Sequence, residues 1–338
     1  MLIPAFGLGG ALIWLSRALQ PVSTNRRPVK VEIARGSNAR TIAAKLSDAG
    51  LVRSEWVFVY VAGRRDALLR MKSGRYYFNQ SMSPAEIVDR LKRGPADERT
   101  VTIPEGFTLT QIADALVKKG AIKDKTAFLH IVKSAKPGLN APFPLPKTGL
   151  EGYLYPDTYR FGPNTKPQKI AQTMLDAFTK QFYEGHVGEI DRSGHTLHQI
   201  VTIASLVERE AQVQKDRAPI AGVIENRLKR KMRLQIDATI DYAQGRHLTH
   251  VYYKDLEVKS PYNTYRVIGL PPGPIASPGK ASLEAALHPQ KHEYLYYIAG
   301  ANAAHIFTRT EAEHNAVKVR LKAERTLDLT GRVPTPSL

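Results

Sequence analysis

The sequence contains no cysteine, which excludes disulfide frameworks, thiol nucleophiles and cysteine-ligated zinc. Catalytic signatures are missing too. No His-Glu-x-x-His pattern occurs, and His292-Glu293 lacks a second histidine at the right spacing. There is no Gly-x-Ser-x-Gly elbow, no Walker phosphate loop and no dinucleotide fingerprint. Zinc-peptidase, serine-hydrolase and nucleotide-dependent chemistry therefore have no support, and neither a metal nor a cofactor is expected. Acidic residues are scarce beside basic ones, 31 against 49, leaving a formal net charge of +18. That excess predicts attraction to a polyanion: nucleic acid, acidic phospholipid or an anionic cell-wall polymer. Apolar residues are not scarce. At 43% hydrophobic and 24% charged, 338 residues can build two domains with at least one sizeable core.

Leu2 to Ser16 is an uncharged apolar run at the short end of what spans a bilayer. It reads as an N-terminal transmembrane anchor over residues 1–20, with a signal peptide or a buried helix as the alternatives. A signal peptide lacks its basic leader and cleavage site here. Arg26, Arg27 and Lys30 follow the run, which by the positive-inside rule alone would leave the main body in the cytoplasm. A basic tail upstream of Met1 would remove that conflict.

Beyond the linker PVSTNRRP the sequence repeats at an offset of 70. Ile33, Gly36, Ile42, Ala43, Leu46, Gly50, Val52 and Phe58 match Ile103, Gly106, Ile112, Ala113, Leu116, Gly120, Ile122 and Phe128. Each copy reads as a short strand, a glycine turn and an amphipathic helix closed by a second glycine. A third partial copy, SMSPAEIVDRLKRG, starts at Ser83-Pro84 and stops at Gly94, and MKSGRYYFNQ before it reads as a strand entered through Gly74. This predicts a small module of strand, helix, strand, helix. Further on, after the loop SAKPGLNAPFPLPKTG, helical patterns occupy Gln168 to Phe182, His198 to Gln212 and Asp216 to Lys231. ASLEAALHP reads as a helix stopped by Pro289, YLYYIA as a strand, and HIFTRTEAEHNAVKVRLKAE as strand then helix.

The pattern at His198 to Gln212 carries the sharpest chemical question. On a helix Ile200, Ile203, Ala204, Val207 and Ala211 share one face, with Glu208 and Glu210 on opposite shoulders and Arg209 toward solvent. A carboxyl against apolar neighbours resists ionisation and can serve as a general acid; two surface glutamates beside basic residues would look the same in sequence. EGYLYPDTY, LQIDATIDYA and SPYNTYRVIGLPPGPIASPG set tyrosines beside Asn, Asp, Gln and Thr. Flat aromatic faces and directed hydrogen bonds suit an oligosaccharide, and equally an ordinary loop.

IASLVEREA, RLKRKMRLQIDATIDYA, YNTYRVIGLPPGPIASPG and HIFTRTEAEHN, in that order, resemble the MltG (YceG-like) family of endolytic murein transglycosylases. The resemblance runs from about Val29 to Arg325 and includes KSGRYYF, typical of that family's LysM-like subdomain. It implies an α+β fold class: the transmembrane anchor over 1–20, a small LysM-like subdomain over 29–95 and a larger mixed α/β YceG-like catalytic domain over 100–330. It also implies a single-pass protein of the bacterial inner membrane with its catalytic domain in the periplasm. The implied activity is cleavage of the MurNAc–GlcNAc β-1,4 bond of nascent glycan strands, leaving a 1,6-anhydro-MurNAc end. Glu208 is then the catalytic glutamate, and cooperation with penicillin-binding synthases is implied. Candidate sugar-holding residues are Glu151, Tyr155, Asp157, Gln235, Asp237, Asn263 and Tyr265.

Three rivals remain at this level. A glycan hydrolase would use Asp237 or Glu151 as a second carboxylate. A wall-binding scaffold would carry a degenerate enzyme domain. A nucleic-acid binder fits the charge but lacks a reader motif, so no nucleic-acid partner is expected.

Overall fold

The computed structural model describes residues 13–95, 99–134, 138–162, 165–246, 248–249, 251–300 and 303–330. The chain forms two compact units, residues 1–99 with 160–163 and residues 100–159 with 164–338.

In the first unit β1 (Val29–Ile33) is followed by α1 (Ala39–Asp48) and α2 (Glu55–Arg64), then β2 (Gly74–Phe78) and α3 (Pro84–Arg93). β1 and β2 pair antiparallel, Val31 opposite Tyr76. Alternation along the pair sends Val31, Ile33, Tyr76 and Phe78 into a core shared with Ile42, Leu46, Phe58, Ile87 and Leu91. α3 starts where Ser83-Pro84 requires, with Ser83 and Glu86 forming a reciprocal capping box. The module is thus strand, helix, helix, strand, helix, one helix more than the sequence reading. The extra element, EWVFVYVAGR, is rich in aromatic and β-branched residues that favour strands. Ser54 nonetheless caps it, accepting from the Val57 N–H, and Val57, Phe58, Val61 and Ala62 bury one side.

Residues 13–18 are helical, and Ala18 is buried against this first core. Among the described residues no helix is long and apolar enough to cross a membrane. The greater part of the expected anchor, residues 1–12, lies outside the described residues.

The second unit opens with the second copy of the repeat. β3 (Arg99–Thr102), α4 (Leu109–Lys118) and α5 (Lys125–Ser134) are followed by β4 (Thr158–Phe161), which ladders with β3. α1 and α4, like α2 and α5, stand 70 residues apart. The turn glycines agree in conformation, φ 79° at Gly36 and 78° at Gly106, a region that disfavours any side chain. α6 (Pro167–Phe178) runs through a π turn at Thr179–Tyr183 into α7 (Glu184–Arg192). α8 (Leu197–Glu210), α9 (Arg217–Lys229), α10 (Asp237–Gln244) and α11 (Lys280–Leu287) follow. The antiparallel pair β5 (Tyr296–Ala299) and β6 (His305–Thr308) leads into α12 (Glu311–Thr330). Sheets are two-stranded throughout the described residues, so the larger unit is a mostly helical α+β body.

α8 is its axis. Rather than one apolar face, every residue from Ile200 to Val207 is buried, because α9, α10 and α11 all pack on it. Its two small polar residues are satisfied internally: Thr202 donates to the His198 carbonyl, and Ser205 donates to the Thr202 carbonyl while accepting from the Ile275 N–H.

Candidate active site

The last turn of α8 leaves the core and delivers two carboxylates to different surroundings. The Glu208 side chain is 7% exposed; its Oε2 accepts from the Gly279 N–H at 3.0 Å and its Oε1 lies 3.6 Å from Arg217 Nη2. Arg217 is held in turn by its Nε donating to Ser282 Oγ at 3.0 Å. Gly279 belongs to the buried run Gly273 to Gly279 of the proline and glycine loop. Backbone pairing fixes that loop to the turn before α4, with Gly106 N–H donating to the Ser277 carbonyl and Ser277 N–H to the Phe107 carbonyl, each at 2.8 Å.

That pairing introduces a residue absent from the sequence-based candidates. The Glu105 carboxyl lies against the α-carbon of Gly279, in the space a methyl group there would occupy. Burial, and then the negative charge of Glu208, push the Glu105 carboxyl above the ordinary range, with Arg217 acting against them. The charge of Glu105 in turn helps raise the Tyr155 hydroxyl, after burial and together with Asp157. Glu105, Tyr155, Asp157, Glu208 and Arg217 are therefore neighbours. Asp157 itself is exposed and accepts from the Thr158 N–H.

Glu210 goes the other way. Burial pushes its carboxyl up to about 7; the Tyr297 hydroxyl bonded to it opposes the shift, Asp237 adds to it and Arg209 offsets it. Asp237 accepts from the Tyr265 hydroxyl. Gln235, two residues earlier, is exposed at φ 52°, a conformation non-glycine residues seldom adopt. Buried Arg227 holds that loop, donating to the carbonyls of Arg233, Leu234 and Leu295.

Two of the expected sugar-holding residues have their polar atoms engaged within the protein. Asn263, fully buried, donates to the carbonyls of Leu256 and Val258 and accepts from the Tyr265 N–H, shaping the loop that presents Tyr265. Glu151 accepts from the Leu109 N–H at the start of α4 and from the Tyr242 hydroxyl. It lines a cavity of about 330 Å³ with Gln111, Lys133, Arg209, Asp241 and Arg246. Arg209 lies along this cavity, 3.9 Å from Asp241, rather than pointing freely to solvent. His305, by contrast, is bonded to buried Asp216 through Nδ1 at 2.9 Å.

Burial pushes the Glu151 carboxyl up to about 7, against the donors it accepts from. Its folded pKa, like that of Glu210, exceeds the ordinary glutamate value of 4.5, so the folded state holds these protons more tightly than the unfolded chain. Their stabilisation is complete below about pH 4.5 and is lost as pH rises through about 7. Thermal denaturation in steps from pH 5 to pH 8 should show a falling Tm, and Glu151→Gln should flatten part of that fall. An unaltered slope in the variant would count against a buried, proton-holding Glu151.

A family model described as the YceG-like family matches residues 31–320. The chain is 39% identical over 325 residues to a Bacillus subtilis protein named endolytic murein transglycosylase, covering 92% of this chain and 90% of that protein. It is 34% identical over 325 residues to a Streptococcus pneumoniae protein of the same name, covering 88% of this chain but 59% of that longer relative. A crystal structure described as a YceG-like protein from Listeria monocytogenes is similar at 35% identity and a TM-score of 0.59, over 86% of this chain and 99% of that one. The chain belongs to the YceG-like family.

Proposed function

We propose that this protein is an endolytic lytic transglycosylase of peptidoglycan, cutting the MurNAc–GlcNAc β-1,4 bond within glycan strands and leaving a 1,6-anhydro-MurNAc end. The observation that carries the reading is Glu208 at the end of a buried helix, oriented by the Gly279 N–H and faced by Arg217. The names of relatives that share most of this chain's length support the same activity.

Glu208 in its protonated form gives its proton to the glycosidic oxygen as the bond from the anomeric carbon breaks. The resulting carboxylate takes the proton of the sugar's own 6-hydroxyl, whose oxygen closes onto that carbon. One carboxyl acts as acid and then base, no water is consumed, and a second carboxylate placed to activate water is not needed. Tyr155, Asp157, Gln235, Asp237 and Tyr265 offer aromatic faces and hydrogen bonds to hold the sugar in a near-attack shape. Glu151 and Asn263 serve by bracing the segments that carry them. Glu210 is the alternative acid, favoured by a carboxyl that is pushed up to about 7.

The apolar run at the N-terminus supports placement at the inner membrane; a periplasmic enzyme rests on the family resemblance, since Arg26, Arg27 and Lys30 after the run favour the opposite side. We read the first unit as a LysM-like module that holds the same glycan, and penicillin-binding synthases that make nascent strands as the natural partners. The net charge of +18 favours contact with anionic wall and membrane surfaces.

Mass spectrometry of fragments released from uncrosslinked glycan tests the reaction. Anhydro-ended fragments are expected; fragments heavier by one water would identify a hydrolase, and no release would favour a wall-binding scaffold.

A further inference from the structure

The sequence offers one catalytic glutamate, whereas the fold sets a second carboxyl beside it. Glu105 and Glu208 come from segments 103 residues apart and meet at a single residue, Gly279. Its N–H donates to Glu208, while its missing side chain leaves the space that the Glu105 carboxyl fills. The meeting is enforced by the backbone bonds of Gly106 and Phe107 with Ser277, so it does not depend on a flexible side chain reaching across. Glu208 is nearly covered, whereas Glu105 is exposed at the open side of the pair. No ion pair fixes Glu105 among those of the described residues. Arg217 faces the pair from α9, Tyr155 with Asp157 from the segment before β4, and Arg209 passes Gly106 on its way to Asp241.

We infer that Glu105 is a positioning residue of the transglycosylase reaction, sharing one proton with Glu208 so that the pair, rather than a lone glutamate, holds the acid proton until a glycan strand arrives. This rests on the proposed role of Glu208. Two carboxyls with one cation near them do not both ionise readily, and such a pair titrates as a unit. The Glu105 carboxyl is displaced upward by burial first and by the charge of Glu208 second, the direction in which a neighbouring carboxylate acts. The proton balance is simple: the pair gives one proton to the leaving oxygen and recovers one from the 6-hydroxyl, ending as it began.

The test is the pH profile of kcat/KM on uncrosslinked glycan for the full chain, Glu105→Gln and Gly279→Ala, with Glu208→Gln as control. The wild type should stay active until the pair loses its proton, which sets the basic limb of the profile. Glu105→Gln leaves a single carboxyl, so the basic limb should move toward acid by about one pH unit. Gly279→Ala, which displaces the Glu105 carboxyl without removing it, should change the profile in the same sense. A Glu105→Gln profile superimposable on the wild type, or activity absent at every pH, overturns the shared proton. Retained activity in Glu208→Gln overturns the underlying assignment instead, whatever Glu105 does.

Discussion

Glu208→Gln is expected to lower kcat by about 10³-fold while leaving KM within a few-fold of wild type. Glutamine keeps the length and shape of the side chain and can still accept from the Gly279 N–H through its amide oxygen. What it loses is the proton that the leaving oxygen requires and the charge facing Arg217. Loss confined to kcat is the mark of a group used in the transition state. The decisive comparison is Glu210→Gln. Glu210 is bonded to Tyr297 and lies near Asp237, so its replacement should disturb that polar cluster and reduce activity much less. Steady-state rates of the two variants on one glycan preparation separate them. A full loss in Glu210→Gln beside a mild one in Glu208→Gln would transfer the acid role to the other shoulder of the helix.

Why the two shoulders differ could not be read from the helix. A period of 3.6 residues places Glu208 and Glu210 on opposite sides, but what waits on each side comes from distant chain: Gly279 lies 71 positions beyond Glu208, and Tyr297 lies 87 beyond Glu210. The repeat at offset 70 was legible because it rests on local rules: glycines in turns that need positive φ, and polar caps before apolar stripes. Its second helix was hidden because EWVFVYVAGR satisfies strand preferences locally and becomes a helix only with Ser54 as cap and a core to pack on. The same locality hid the burial of α8, where two side-chain hydroxyls satisfied by carbonyls of their own helix let an apparent polar edge go inside.

Glu105 left a faint signal that the repeat itself contains. The first copy reads Ile33-Ala-Arg-Gly36 and the second Ile103-Pro-Glu-Gly106, so the same turn carries Arg35 in one and Glu105 in the other. A turn kept in shape but reversed in charge identifies a place where the two copies do different work. Asn263 and Glu151 show the opposite limit. Their types and motifs suit sugar binding, yet buried hydrogen bonding inside the protein accounts for both.

Gly152→Ala should be the most destabilising of the small substitutions, by about 3 kcal/mol or more, and should lower Tm by roughly 5 to 10 °C. Gly152 has φ 83°, so any side chain begins with backbone strain. Its Cβ would lie 2.6 Å from Pro274 Cβ and 2.8 Å from Val201 Cγ1, and neither neighbour is the end of a flexible chain. Pro274 belongs to the loop that presents Ser277 and Gly279, and Val201 to the buried core of α8, so the added methyl drives apart the two elements whose closeness sets the Glu208 environment. Activity should therefore fall in the fraction that remains folded. Gly185→Ala in α7 is the matched control: a Cβ there meets nothing within 4 Å and the backbone is helical, so alanine should be neutral or slightly stabilising. Equal Tm values for the two variants would mean that the contact of the Glu151–Tyr153 turn with α8 and the proline loop is not the close fit described above.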